Sequence, residues 1–253
     1  MNPWERIKLG YLRLIAPLVD WLVTRRVNPN LVTTLGTVSA IVSGAIYASG
    51  HIRLAGWVFG ITAVFDAIDG EVARRQGRSS RFGAFYDSSL DRISDGAVLA
   101  GLTIFFARNG VHQSIPPYMA TPMVVVSLLG MIGAFLTSYT RARAEGLGLD
   151  AKVGILQRAE RIVLLSAPQA FFGLALGGWV LMSICVILTL TAWITVAQRI
   201  AFVYRACAAG DSPMPEFAAA RSSMAHTSGQ DGEAMAGRRS GDVGTPQRLD
   251  AVR

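Results

Sequence analysis

The chain has 253 residues, of which 51% are hydrophobic and 16% charged, and its mean hydropathy is +0.39. A soluble domain carries about 25% charged residues, so this composition disfavours a soluble protein and predicts a membrane protein. The net charge of +7 favours anionic lipid and phosphate as partners and disfavours nucleic acid. The two cysteines, Cys185 and Cys207, are too few for a disulfide framework or a thiolate metal site.

Residues 1–26 mix apolar and basic side chains at helical spacing and predict an amphipathic helix that lies in the membrane interface. Six apolar stretches follow, and a membrane-spanning helix needs roughly 20 residues. The second and third stretches reach that length only if their helices continue through neighbouring aspartates, which are therefore expected to be helical and near one membrane face. The stretches cover residues 31–49, 54–65, 97–107, 118–139, 162–176 and 179–197.

Basic residues are concentrated before the first stretch, after the second and after the fourth, whereas the opposite loops carry only Arg53 and Arg108. The positive-inside bias then predicts an all-α, multi-pass protein of the cell (inner) membrane with six spans, whose termini and Asp-rich loop face the cytoplasm. Beyond the last stretch, the chain is rich in Gly, Ala, Ser and charge, which predicts a disordered tail. The expected regions are an interfacial helix (1–26), a six-helix domain (27–207) and a tail (208–253).

Asp66 and Asp69 are three residues apart, and Asp87 and Asp91 are four apart, so each pair lies on one face of its helix. A charge at a bilayer centre costs ~2.5 to 3.5 kcal/mol, so something cationic must compensate four facing carboxylates. Oxygen donors without nearby Cys or His suit Mg²⁺ or Mn²⁺, and two such ions would clamp a pyrophosphate. The alternative is that nearby arginines compensate a solvated acidic face.

Small residues accompany the aspartates. Gly70 follows Asp69 directly, and Ala73 and Gly83 lie within one turn of the carboxylates, so a bulky ligand can approach the backbone there. Arg74 has the planar donor fork that holds phosphate. This stretch therefore predicts a phosphate-containing ligand beside the acidic residues.

The four aspartates, the small residues beside them and Arg74 together resemble a known sequence signature. In order, these residues fit D-x2-D-G-x2-A-R-x8-G-x3-D-x3-D, which is similar to the motif of the CDP-alcohol phosphatidyltransferases. The resemblance implies a homodimer in the membrane that transfers a phosphatidyl group from CDP-diacylglycerol to an alcohol and releases CMP. By position it implies that Asp66, Asp69, Asp87 and Asp91 bind two Mg²⁺ or Mn²⁺ ions, that Asp91 is also the catalytic base, and that Gly70, Ala73, Arg74 and Gly83 border the CDP group.

A second basic group follows the fourth stretch: Arg141, Arg143, Arg158 and Arg161. Topology explains part of this charge, and a phosphorylated acceptor alcohol bound by these arginines would explain the rest. The stretches "SYTRARAE" and "RAER" are similar to those of bacterial phosphatidylinositol phosphate synthases, which implies inositol 1-phosphate as acceptor.

Two alternatives remain open. Arg141 stands where that subgroup commonly has Lys, and "QRAER" where "ERPER" is usual, so glycerol 3-phosphate, the acceptor of phosphatidylglycerophosphate synthases, is the rival acceptor. A cation transporter also keeps carboxylates in membrane helices, although it would not need the glycines, Ala73 and Arg74 at these spacings.

Overall fold

The computed structural model describes residues 15–108 and 115–209, which are helical apart from short connections and contain no strand. The predicted all-α class is confirmed over these residues. Residues 1–14 of the predicted interfacial helix and the predicted tail from residue 210 onward lie outside the described residues. The helices are α1 (Ile15–Thr24), α2 (Pro29–Ala48), α3 (Ile52–Arg75), α4 (Arg81–Ala107), α5 (Pro117–Glu145), α6 (Arg158–Phe172) and α7 (Trp179–Ala209).

The chain divides into two compact units between Val203 and Tyr204. Of the second unit, the structure describes only residues 204–209, which are the end of α7. All the contacts that follow belong to the first unit.

Both acidic segments are helical, as the span-length argument predicted. Helix α3 runs through Asp66 and Asp69, and α4 runs through Asp87 and Asp91. The connection between the two helices is short, with Gly77 in the left-handed region (φ 63°), and the Ser80 side chain caps α4 by accepting a hydrogen bond of 2.9 Å from the Gly83 amide. The acidic end of α3 and the acidic beginning of α4 therefore lie at the same end of the bundle.

Within the described residues, three helical segments are long and apolar enough to span a membrane: Pro29–Ala48 (α2), Pro117–Glu145 (α5) and Ala175–Ala208, which includes most of α7. Helices α3, α4 and α6 do not meet the criteria of length and apolar composition, for the following reasons. Helices α3 and α4 have 24 and 27 residues but carry the charged residues of the acidic segments. Helix α6 has 15 residues and ends four residues before the predicted boundary at 176, because Gly173 terminates it with a positive φ of 55°.

Helix α2 packs against both α3 and α4. Towards α3, the Ser43 hydroxyl donates a 2.9 Å hydrogen bond to the Ala55 carbonyl. Towards α4 the backbones meet directly, because a Cβ atom at Gly101 would lie 2.9 Å from Cα of Gly44. Small residues at helix crossings permit this close approach in membrane proteins. The crossing fixes the positions of α3 and α4 relative to α2.

Helix α1 packs on the acidic end of this arrangement through an apolar cluster. Its side chains Ile15 and Val19 meet Val32 of α2 and Ile68 and Val72 of α3, all of which are buried. Val72 lies between Gly70 and Arg74 in the sequence motif. The cluster therefore anchors the stretch of α3 that carries the predicted ligand-binding residues.

We predict that Gly101→Ala destabilises the fold, because its methyl group would overlap the Gly44 backbone, which cannot rotate away. Overpacking of this kind costs about 1–3 kcal/mol. Thermal unfolding in detergent measures the effect. Gly60→Ala is the matched control, since its Cβ would make only an ordinary 3.7 Å contact with Ser166 Oγ. Equal unfolding temperatures for the two variants would contradict the close crossing.

Candidate functional site

Five aspartates line the facing sides of α3 and α4 at one end of the bundle. Their spacing of three or four residues keeps each set on one helix face. Among the described residues, the Oδ2 atoms of Asp69 and Asp95 are buried without a hydrogen-bond partner. A buried polar atom without a partner is costly, so these oxygens are available for a ligand. The five are Asp66, Asp69, Asp87, Asp91 and Asp95.

Arg158, the first residue of α6, reaches into this acidic cluster. Its Nη1 atom donates a hydrogen bond to Oδ2 of Asp66 and lies 3.0 Å from Oδ1 of Asp91. Its Nε atom lies 3.6 Å from Oδ1 of Asp95. The four side chains are between 11% and 26% exposed, so these ion pairs are mostly removed from water. One guanidinium therefore neutralises carboxylates from two different helices.

With this arrangement of side chains, no group of three His, Cys, Asp or Glu residues within 15–108 and 115–209 is placed to hold a metal ion. The four aspartates predicted as metal ligands lie at one end of the bundle, but they form two separate pairs. Asp66 and Asp91 turn towards Arg158, whereas Asp69 and Asp87 line a separate pocket. The guanidinium occupies the space between two of the predicted metal ligands.

That pocket has a volume of about 210 Å³ and is formed by α2, α3, α4 and the 76–80 connection. A methyl group at Gly70 would lie 3.4 Å from the Arg74 guanidinium, and one at Gly83 would lie 3.1 Å from Ser80 Oγ. A side chain at either position would crowd Arg74 or Ser80, so the two glycines keep this part of the pocket free of further side-chain atoms. The pocket is lined by all four residues predicted to border CDP, together with Asn30, Thr33, Asp69, Arg78, Ser80 and Asp87 among others.

Glu71, which no sequence pattern singled out, holds the arginines at the rim of this pocket. Its Oε2 atom accepts a 2.7 Å hydrogen bond from Arg74 Nη2, and its Oε1 atom accepts one of 2.7 Å from Arg75 Nε. Arg75 in turn donates a 2.5 Å hydrogen bond to Asp20 of α1. The chain of ion pairs links α1 to the Arg74 side chain that lines the pocket.

The four arginines predicted to bind an acceptor phosphate do not form one cluster. Arg158 and Arg161 lie in the first turn of α6, and Arg161 lines a small, mostly apolar cavity of about 50 Å³ together with Asp95. Arg141 and Arg143 are exposed at the end of α5, where Arg141 pairs with Glu145 at 2.9 Å. Only the α6 pair reaches the acidic cluster.

Arg199 of α7 is a buried arginine that the sequence pattern did not single out. It is 9% exposed, its Nε atom donates a 2.9 Å hydrogen bond to the Val153 carbonyl, and its Nη1 atom donates to the Thr137 carbonyl. It also interacts electrostatically with both Arg141 and Arg161. The residue was missed because the apolar stretch ends at residue 197, which left Arg199 outside the predicted span. It connects the α5–α6 loop to α7.

We predict that Arg199→Gln loosens this loop, because the Val153 carbonyl in the loop loses the Arg199 Nε donor. Leaving a buried acceptor unpaired costs about 1–3 kcal/mol. Limited trypsin digestion measures the change, since Lys152 in the loop is exposed and cleavage there should accelerate. The control is Arg205→Gln, which removes an exposed arginine from the same helix. Unchanged cleavage at Lys152 would show that Arg199 does not hold the loop.

Comparison with known proteins identifies the family to which the chain belongs. A family model described as CDP-alcohol phosphatidyltransferase matches residues 26–205. A phosphatidylinositol phosphate synthase of Cutibacterium acnes is 35% identical over 211 residues, which cover 80% of this chain and 98% of that protein.

Two solved structures of the Mycobacterium tuberculosis phosphatidylinositol phosphate synthase are also similar. The one with CDP-DAG bound has a TM-score of 0.65 at 30% identity and covers 76% of this chain and 94% of that one. The one in complex with manganese and citrate has a TM-score of 0.64 at 30% identity and covers 74% and 88%. The resemblance seen in the motif is thereby confirmed, and the chain belongs to the CDP-alcohol phosphatidyltransferase family.

Proposed function

We propose that the chain transfers the phosphatidyl group of CDP-diacylglycerol to the hydroxyl of inositol 1-phosphate and releases CMP. One observation carries the proposal. Gly70, Ala73, Arg74 and Gly83 border a single pocket that also contains Asp69 and Asp87, so a nucleotide bound there would bring its pyrophosphate to the acidic cluster. The similar Mycobacterium tuberculosis structure has CDP-DAG bound, which supports this use of the pocket.

The acidic cluster fits a divalent metal by its donor chemistry. All its ligand atoms are carboxylate oxygens, which Mg²⁺ and Mn²⁺ prefer, and Asp69 Oδ2 is buried without a hydrogen-bond partner among residues 15–108 and 115–209. Within the described part of the chain, the arginines that interact with these five aspartates are Arg92, Arg158 and Arg161, so negative charge is in excess when all are ionised. A similar solved structure contains manganese. We propose that Asp66, Asp69, Asp87 and Asp91 hold two such ions, which would neutralise the pyrophosphate and stabilise the oxygen displaced from it.

Side chains of the protein carry out phosphate binding and proton transfer. Arg74 binds phosphate oxygens at the pocket rim, where Glu71 orients its guanidinium. Asp91 accepts the proton of the acceptor hydroxyl, whose oxygen forms a new bond to the β-phosphorus. The bond from that phosphorus to the bridging oxygen breaks, and CMP leaves with the bonding electrons. The displacement is direct and needs no covalent enzyme intermediate.

The acceptor phosphate is assigned to the α6 arginines. Arg158 and Arg161 share the first turn of α6, beside Asp91 and Asp95, so a phosphate held there would place a neighbouring hydroxyl near the proposed base. Glycerol 3-phosphate presents the same phosphate and remains the rival acceptor. The exposed Arg141 and Arg143 are assigned to electrostatic attraction of the anionic acceptor. A cation transporter is disfavoured, because transport does not require Gly70, Ala73, Arg74 and Gly83 to border one pocket.

The placement of the chain in the membrane completes the proposal. We propose six spans, α2 to α7, in the cell inner membrane, with the acidic cluster facing the cytoplasm and α1 lying in the interface. The bias of basic residues supports this orientation. Homodimer formation is proposed on the family resemblance alone, and cross-linking in membranes tests it.

The metal assignment predicts that Asp69→Asn abolishes CMP release from CDP-diacylglycerol in the presence of Mg²⁺ or Mn²⁺. The rate of CMP release should fall at least about a hundredfold, because the variant replaces a buried carboxylate of the metal site by an uncharged amide. The control is Asp150→Asn, which makes the same change at an aspartate whose side chain is 62% exposed, and it should leave the rate unchanged. Normal turnover by Asp69→Asn would overturn the assignment of this residue.

The acceptor assignment predicts that Arg161→Gln raises the KM for inositol 1-phosphate and leaves the KM for CDP-diacylglycerol nearly unchanged. A charge-assisted hydrogen bond is worth about 1.5–3 kcal/mol, which corresponds to roughly a ten- to hundredfold change. Steady-state kinetics with inositol 1-phosphate, glycerol 3-phosphate and free inositol measure it, with Arg53→Gln as a control outside the site. If the wild type prefers free inositol, the arginines do not hold an acceptor phosphate.

A further inference from the structure

Arg158 carries two assignments that conflict in space. As a predicted phosphate ligand it should be available to the acceptor, yet its Nη1 atom contacts both Asp66 and Asp91, two of the proposed metal ligands. Its Nε atom lies 3.6 Å from Asp95, the next acidic residue along α4. A divalent cation bound by Asp66 and Asp91 would occupy the region that this guanidinium fills. The two cations therefore exclude each other.

We infer that Arg158 is an exchangeable internal counter-ion, which competes with the divalent cation for Asp66 and Asp91 and turns to the acceptor phosphate when that cation binds. This inference rests on the proposed function and assigns Arg158 the role of coupling the metal site to the acceptor site. Metal binding and acceptor binding then favour each other, because each relieves the charge that the other leaves unpaired.

The structure around Arg158 suits such an exchange. The backbone at the start of α6 is fixed by a capping box, in which the Gln157 amide donates a 2.8 Å hydrogen bond to Glu160 Oε2 and the Gln157 side chain accepts from the Glu160 amide. The long side chain can therefore turn while the helix stays in place. The proposed site of the acceptor phosphate is close, since Arg161 lies one turn later on the same helix. A phosphate bound between the two arginines would hold both in the forked geometry that guanidinium groups favour.

Arg161 provides the matched control for charge. It belongs to the same helix and interacts with Asp91 and Asp95 only electrostatically, whereas Arg158 makes direct contacts. Removing either arginine takes one positive charge away from the cluster. Through-space repulsion of a bound cation is thus reduced in both variants, but only Arg158→Gln also frees carboxylate oxygens.

The experiment measures Mn²⁺ binding to the purified full-length chain in detergent, without nucleotide or acceptor, by electron paramagnetic resonance of the free ion. We expect Arg158→Gln to bind Mn²⁺ about tenfold more tightly than Arg161→Gln does, since direct charge-assisted contacts no longer have to be broken. Arg158→Lys keeps the charge but loses the fork, and it should bind about threefold more tightly than the wild type.

The outcomes separate the inference from the proposed function. If the wild type shows saturable Mn²⁺ binding that Asp69→Asn removes, the metal site stands, and equal affinities for Arg158→Gln and Arg161→Gln then overturn only the exchange. If the wild type binds no Mn²⁺, the proposed metal site and the exchange both fall. Should Arg158→Gln fail to fold, Arg158→Lys decides, and a wild-type affinity in that variant overturns the exchange.

Discussion

Carboxylates inside an apolar bundle need a compensating cation, and the arrangement of this site follows from how the chain supplies one. Asp66, Asp91 and Asp95 come from two helices, and all three contact Arg158 from a third. Removing one partner of a buried ion pair leaves an uncompensated charge and costs about 3–5 kcal/mol. The acidic cluster therefore remains paired with a cation, and the proposed chemistry depends on which cation that is.

The helical scaffold keeps the pieces of the site in place. Helix α2 contacts α3 and α4 through small residues, and its Asn30 and Thr33 residues line the pocket that also contains Asp69 and Asp87. The short turn after α3 brings both acidic segments to the same end. A scaffold held by backbone contacts at Gly44 and Gly101 leaves little freedom for helix movement, so adjustments in the site fall to long side chains. Arg158 and Arg74 are the side chains placed to make them.

The sequence predicted the local part of the site and missed the contacts between distant segments. The helical state of Asp66 and Asp91 followed from span length, and their shared faces followed from spacing. Periodicity carries no information about which distant segment meets an acidic face, so the pairing of Arg158 with Asp66, 92 residues away, was not predicted. Arg141 was grouped with Arg158 because loop position alone does not distinguish a buried arginine from an exposed one.

Under the proposed exchange, selectivity for a phosphorylated acceptor follows from the charge balance of the cluster. When a divalent cation takes the oxygens of Asp66 and Asp91, the buried guanidinium of Arg158 loses two of its partners. A phosphate dianion replaces them, whereas a neutral polyol with the same hydroxyl geometry does not. An alcohol without phosphate is then disfavoured by the cost of the unpaired guanidinium, in addition to the contacts it fails to make. Under this exchange, the acidic cluster that activates the donor also selects the acceptor, although no aspartate contacts the acceptor phosphate.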